Sequence, residues 1–244
     1  MQNLPRIYLT ENLAVGKTFP LPPDRGHYLS RVMRTDKFLA FGNGEEFLAE
    51  LKQETNKKTI HYSLLVVQLT GRPDPSGNMT LAFAPIKQAR LEEMLNMATQ
   101  LGVAALQPVI TDRTDARNIN WERIRKITTE AAEQSGRNSI PEIRPPVKFG
   151  EFVADAKNLV FADERFAHEK INVGANNYRA PTKSQILVGG SLPLQATIFI
   201  GPEGGFSSAE FAALDAAKAV GISLGKTILR AETAAAVAIA LVTK

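Results

Sequence analysis

The sequence predicts an α/β protein in two parts, a small, mostly β first part and a larger second part built on a mostly parallel sheet. Three observations carry this. Short alternating apolar stretches flank a Gly42-Asn43-Gly44 turn in the first third of the 244 residues. The run Gly71-Arg72-Pro73-Asp74-Pro75-Ser76-Gly77-Asn78 then breaks any regular pattern, which marks a boundary between parts 1–72 and 73–244. Beyond it, apolar residues at helical spacing alternate with short β-branched runs, the rhythm of strand, helix and parallel strand.

In chain order, Pro22-Pro23-Asp24 signals the start of a short helix over Arg25–Arg34. Phe38–Phe41 and Phe47–Leu51 read as a hairpin, because Asn-Gly tolerates the positive φ of a tight turn, and Ile60–Leu69 reads as a further strand. Met79–Ala84 is a strand. Leu91, Met94, Leu95, Ala98 and Leu101 then trace one helix face, stopped by Gly102 before a strand at Val103–Ile110. Trp121–Ser135 is helical, and Asn158–Ala162 and Thr197–Ile200 are short strands. Ser207 with Glu210 three residues on forms a capping box that opens a helix to Val220. Ile222–Leu229 is strand-like, and Glu232–Lys244 is an alanine-rich closing helix. Arg165–Leu194 has little periodicity and reads as a functional or mobile loop.

Composition narrows the chemistry. With no cysteine, disulfides, thiolate nucleophiles and Cys-ligated metals are excluded, and three scattered histidines, His27, His61 and His168, do not suggest a metal site. No run approaches the roughly eighteen apolar residues of a membrane span, and the N-terminus lacks a signal peptide's apolar region, so a cytoplasmic protein is expected. The formal charge of +4 permits a polyanionic partner. Its excess leans toward the first part, where Arg25, His27, Arg31, Arg34 and Lys37 face only Asp24 and Asp36, either a phosphate-contact patch or a solvated helix face.

The P-loop, the dinucleotide-binding turn, H-E-x-x-H and G-x-S-x-G are all absent. Instead, Ile200-Gly201-Pro202-Glu203-Gly204-Gly205-Phe206-Ser207 carries a buried strand through a glycine-rich loop into a capped helix. Glycines let a backbone approach a ligand closely, although a simple strand-to-helix turn has the same letters. A second junction, Leu224-Gly225-Lys226-Thr227-Ile228-Leu229-Arg230-Ala231-Glu232, places Arg230 either to stabilise anionic charge or to pair with Glu232. A third polar cluster, Glu133 to Asn138, reads as a glycine-terminated helix end.

Taken with His27-x-x-x-Arg31-Val32-Met33-Arg34, Gln100-Leu101-Gly102-Val103, Glu130 to Arg137 and Pro141-Glu142-Ile143, these junctions resemble the bacterial 16S ribosomal RNA uracil-N3 methyltransferase family of the SPOUT superfamily. The resemblance spans nearly the whole chain. Gln100 stands where the family usually has Glu, and Thr111-Asp112-Arg113-Thr114 where it usually has a serine-containing motif. It implies a PUA-like RNA-binding β-barrel in 1–72 and a trefoil-knotted α/β methyltransferase domain in 73–244. It also implies S-adenosylmethionine as cofactor and a homodimer acting on 16S rRNA of the small ribosomal subunit.

Carried over by position, Ile200, Gly201, Glu203, Gly204 and Gly205 would line one side of the cofactor and Leu224, Gly225, Ile228 and Leu229 the other. Uracil N3 must lose its proton as it attacks, which assigns Arg230 to stabilising the uracil anion and Glu203 or Glu232 to orienting it or accepting the proton. Arg6, Arg31, Arg34 and Arg137, with His27, are the RNA-contact candidates. The competing functions are methylation of another RNA target, a ribose 2′-hydroxyl or a tRNA base, and a non-catalytic role in ribosome assembly.

Overall fold

The computed structural model describes residues 4–56, 59–115, 118–163, 165 and 196–242. The aperiodic stretch after Arg165, with His168, lies outside the described residues. The chain forms two compact units, one of Met1–Ser76 with Thr129–Ile140, the other of Gly77–Thr128 with Pro141–Lys244.

In the first unit, β1 (Arg6–Tyr8), β2 (Thr18–Leu21), β3 (Lys37–Gly42), β4 (Glu45–Asn56) and β5 (Thr59–Leu69) form a sheet in the order β1-β3-β4-β5-β2. All its pairings are antiparallel except β1 with β3. The β3–β4 hairpin turns at Asn43 and Gly44, whose φ values of 52° and 84° are those a primed two-residue turn requires. Alternate residues, Phe38 and Ala40 on β3, Phe47, Ala49 and Leu51 on β4, Leu64 and Val66 on β5, face one core. The helix expected over Arg25–Arg34 starts earlier and changes character: α1 (Pro23–His27) continues into a π-helical turn, Tyr28–Met33. The N–H groups of Arg34 and Thr35 both reach back to the Leu29 carbonyl, which widens the turn, and Arg34 ends it at φ 51°.

In the second unit, β6 (Thr80–Phe83), β7 (Ala105–Ile110), β8 (Glu142–Ile143), β10 (Leu159–Ala162), β11 (Thr197–Ile200) and β12 (Val220–Ile222) lie in the order β12-β10-β11-β6-β7-β8. The two-residue β9 (Val147–Lys148) adds to β7, and every pairing is parallel. Strand side chains divide with a period of two. Leu81, Phe83, Leu106, Val160, Ile198 and Ile200 share a core with α2 (Gln88–Gln100) and α6 (Ala231–Val242). Ala82, Val109, Leu159, Phe161 and Phe199 share another with α4 (Phe149–Asp155) and α5 (Ser208–Ala216). Both faces are buried, which is why these strands read as unbroken apolar runs.

Helix α3 (Trp121–Ser135) begins in the second unit and, from Thr129, belongs to the first; Gly136 ends it at φ +82°. Two expectations are corrected. The helix opened by Ser207 stops at Ala216, because Lys218 turns the chain at φ 55°. The strand expected over Ile222–Leu229 ends at Ile222, and the apolar residues beyond it line a cavity instead of a sheet. Among the described residues, no helix is long and apolar enough to cross a membrane.

Candidate functional site

The carboxyl ends of the neighbouring strands β12, β10 and β11 open onto a cavity of about 410 Å³, the place where ligands bind in open parallel sheets. From the β11 side it is lined by Ile200, Gly201, Glu203 and Gly205. Leu224, Gly225, Ile228, Leu229 and Arg230 line it from the β12 side. Two junctions separate in sequence, one ending at Ser207 and the other starting at Leu224, thus converge on one space. Gly204 and Glu232, expected at the same site, are not on its lining. Gly204 turns its carbonyl to Arg113, and Glu232 is buried in the first turn of α6, where Oε2 has no hydrogen-bond partner among the described residues.

The first loop is shaped by a close approach. A Cβ on Gly201 would sit 2.8 Å from the Phe206 ring, so only glycine lets that ring lie over the backbone. Phe206 in turn packs against Phe199 at 5.1 Å and edge-on to Phe161 and Phe211, anchoring the loop to the sheet. A turn closes with the Gly205 N–H donating to the Pro202 carbonyl at 2.9 Å. The capping box forms: Glu210 N–H donates to Ser207 Oγ at 3.2 Å, and Ser207 N–H to Glu210 Oε2 at 2.8 Å. The turn after β7 bolts onto the same loop. Asp112 N–H donates to Glu210 Oε1, Ser207 Oγ donates to Asp112 Oδ2, and Arg113 Nη1 donates to the Gly204 carbonyl.

Four charged lining residues, Arg90, Asp163, Glu203 and Arg230, shape the cavity's electrostatics. Arg90, on the first turn of α2, forms an ion pair with Glu203. Asp163, just beyond β10, is buried and held by Arg165 at 2.6 Å. Arg230 is exposed at the start of α6. Arg90 and Asp163 escape sequence reasoning as site residues because nothing in their neighbours marks them, and only the sheet order brings them here; Phe206 lies within the glycine-rich motif but is not assigned a site role from the sequence. Ile228 is 65% exposed, so apolar surface faces the cavity, and among the described residues no atom lies within 4 Å of a Cβ placed on Gly225, whose N–H and carbonyl meet Ser223 Oγ at 3.4 Å. Among the described residues no cluster of His, Asp or Glu could hold a metal ion.

In the first unit the basic candidates separate. His27, Arg31 and Arg34 are exposed. Arg6 and Arg137 are not available to phosphate, which corrects the expectation for them. Arg6 lies buried against Glu46 at 2.9 Å and donates to the carbonyls of Ala132, Glu133 and Arg137, closing the C-terminus of α3. Arg137 is 2% exposed, and burial pushes the pKa of both guanidinium groups down. Arg72 also reaches Glu46 and the Gly136 carbonyl. Asp74 accepts from the Asn138 N–H and from Ser76. Burial favours its neutral form, but these bonds and one from Ser139 outweigh it and hold its carboxyl below the ordinary carboxylate range.

Residues 72–243 match the model of a family described as an RNA methyltransferase domain. The ribosomal RNA small subunit methyltransferase E of Rickettsia conorii is 35% identical over 97% of this chain and 94% of its own. The protein of the same name from Synechocystis is 34% identical over 96% of this chain and 76% of its own. Among solved structures, the ribosomal RNA small subunit methyltransferase E of Neisseria gonorrhoeae bound to S-adenosyl methionine superimposes with a TM-score of 0.74. It is 30% identical and covers 98% of this chain and 96% of its own.

Proposed function

The chain belongs to the RNA methyltransferase domain family, and from that membership we propose that it methylates N3 of a uridine in 16S rRNA with S-adenosylmethionine as methyl donor. The observation that carries this is the convergence of both glycine-bearing junctions and Arg230 on one cavity at the strand ends. Its volume of about 410 Å³ lies within the range of small-molecule sites. The residues fit the cofactor: Ile200, Leu224, Ile228 and Leu229 offer apolar surface to an adenine, and no side chain at Gly225 stands between a ligand and the backbone. S-adenosylmethionine, when bound, supplies an electrophilic methyl group on a sulfonium that departs as a neutral thioether.

The chain's own residues prepare the nucleophile. Loss of the N3 proton spreads negative charge over the uracil, and the exposed guanidinium of Arg230 is placed to stabilise it. Glu203, a carboxylate on the cavity wall held in place by Arg90, accepts the proton. Glu232, buried in the first turn of α6 and off the lining, orients the Arg230 junction. Positioning by the two loops supplies the rest, since methyl transfer is an in-line displacement.

His27, Arg31 and Arg34 are the phosphate contacts of the RNA-binding part, residues 1–72, whose five-stranded sheet supports a PUA-like barrel. The all-parallel order of the second unit, with β11 lying between β10 and β6, supports a SPOUT-type trefoil knot in residues 73–244. Exposed Leu101 and Leu241 in that unit support a homodimer. The small ribosomal subunit places the enzyme in the cytoplasm. Incubation with labelled S-adenosylmethionine and unmodified small subunits, followed by nucleoside mass spectrometry, should yield 3-methyluridine. A 2′-O-methyl product, a label confined to tRNA, or no transfer would overturn the assignment.

A further inference from the structure

The turn that carries Arg31 and Arg34 also carries an apolar surface. Tyr28, Val32 and Met33 are 39%, 63% and 40% exposed, while Leu29 between them is fully buried and anchors the turn in the core. The π-helical geometry collects them. With hydrogen bonds running to the fifth residue, side chains four and five apart lie on one face, so Tyr28 is neighboured by both Val32 and Met33. In an α-helix Met33 would rotate away from that face. The mount is firm: Gly26 lies against the Tyr62 ring so closely that a Cβ there would overlap it, and Arg25 is held by Glu133 at 3.1 Å. Basic residues flank the apolar trio in the sequence, Arg31, Arg34 and Lys37 being exposed, as is His27, with only Asp24 and Asp36 as nearby acids.

An exposed apolar face carried on the same turn as Arg31 and Arg34 is complementary to a polyanion that presents apolar rings. A duplex meets only half of that description, because its bases are stacked inside. A single strand meets both halves, since its unpaired bases lay their faces on aromatic and aliphatic side chains while phosphates meet arginines. We infer that Tyr28, Val32 and Met33 form a base-contacting surface for unpaired RNA, beside the phosphate contacts of Arg31 and Arg34. The surface selects single-stranded over paired RNA near the target. This rests on the RNA methyltransferase reading, and it assigns the strand selection to the first unit.

The test measures fluorescence anisotropy of a labelled oligouridylate and of a paired RNA of equal length with the full-length protein across a salt series. The Tyr28→Ala/Val32→Ser variant is expected to lose about tenfold in affinity for the single strand, with the salt slope and the weaker duplex binding unchanged. Arg31→Gln/Arg34→Gln should weaken both RNAs and flatten the salt slope. Thermal melting checks that each variant folds, and should the double variant melt early, Val32→Ser alone carries the comparison. Wild-type affinity for the single strand in the Tyr28 and Val32 variants overturns the inference. So does a change in sedimentation without a change in RNA affinity, which would give the patch to a second copy of the chain. Methyl transfer by the wild-type protein is scored separately, so failure of the enzymatic reading is not mistaken for failure of the surface.

Discussion

Arg113 Nη1 donates to the carbonyl oxygen of Gly204 at 2.6 Å, joining the turn after β7 to the glycine loop after β11 across 91 residues of sequence. The peptide that follows Gly204 also carries the Gly205 N–H, which donates to Pro202, so one peptide plane is held from both sides. The loop that borders the cavity is therefore set by a residue that does not line it. Arg113→Ala should weaken S-adenosylmethionine binding about tenfold, the worth of one charge-assisted hydrogen bond, with little change in Tm. Titration calorimetry of the two proteins reads this directly, and equal affinities would remove Arg113 from any positioning role.

The two glycines of the site should fail differently. Gly201→Ala pushes a methyl group into the Phe206 ring and should cost about 2 kcal/mol of stability as well as cofactor binding. Gly225→Ala meets no atom within 4 Å but sits at φ +130°, where an L side chain is strained, so it should cost about 1 kcal/mol through the backbone alone. Thermal melts of both variants, with and without S-adenosylmethionine, check the contrast. A Gly201→Ala protein with unchanged Tm would contradict the close packing.

Arg6 and Arg31 are both arginines of the first part, yet they should report on different properties. Arg6→Ala leaves three carbonyls at the end of α3 without this donor and Glu46 with Arg72 and Thr70 alone, a loss of about 2 kcal/mol. A large fall in Tm is expected. Arg31→Gln, on an exposed side chain, should leave Tm within about a degree and lower RNA affinity instead. Melting curves paired with RNA titrations separate the two.

Asp74 makes the first unit sensitive to acid. Its carboxyl is held below the ordinary value of 3.8 by bonds from Ser139, Ser76 and the Asn138 N–H, which outweigh the opposing effect of burial. A depressed carboxylate contributes stability that is full above its unfolded value and is lost as pH falls through the folded one. Stability should decline below about pH 4 in the native protein, and Asp74→Asn should flatten that limb while lowering stability at pH 7. Denaturant titrations at pH 7 and pH 3 supply the test; parallel losses in both proteins would contradict the linkage.

Several elements were legible from local chemistry. The Asn43-Gly44 hairpin, the Ser207–Glu210 capping box and the apolar strands of the second sheet each depend on residues within a few positions of one another. The two-residue strands β8 and β9 and the three-residue β1 carry too few side chains to show a period, and α4 is only seven residues long. The strand expected over Ile222–Leu229 failed for a different reason: residues that line an apolar cavity and residues that line a sheet have the same composition.

By itself the sequence determined the α/β class, the two glycine-bearing junctions and Arg230 beside one of them, because each is written in spacing or in residues that tolerate special backbone geometry. Only the tertiary structure decided which of those residues share a space. The order β12-β10-β11-β6 sets the two junctions at strand ends on either side of β10 and brings in Arg90 and Asp163. It also decided between arginines that look alike in the chain. Arg6 and Arg137 are buried in the first unit, whereas Arg31 and Arg34 stand on the surface. A guanidinium's role depends on whether carbonyls or water surround it, and that is set by residues tens to more than a hundred positions away.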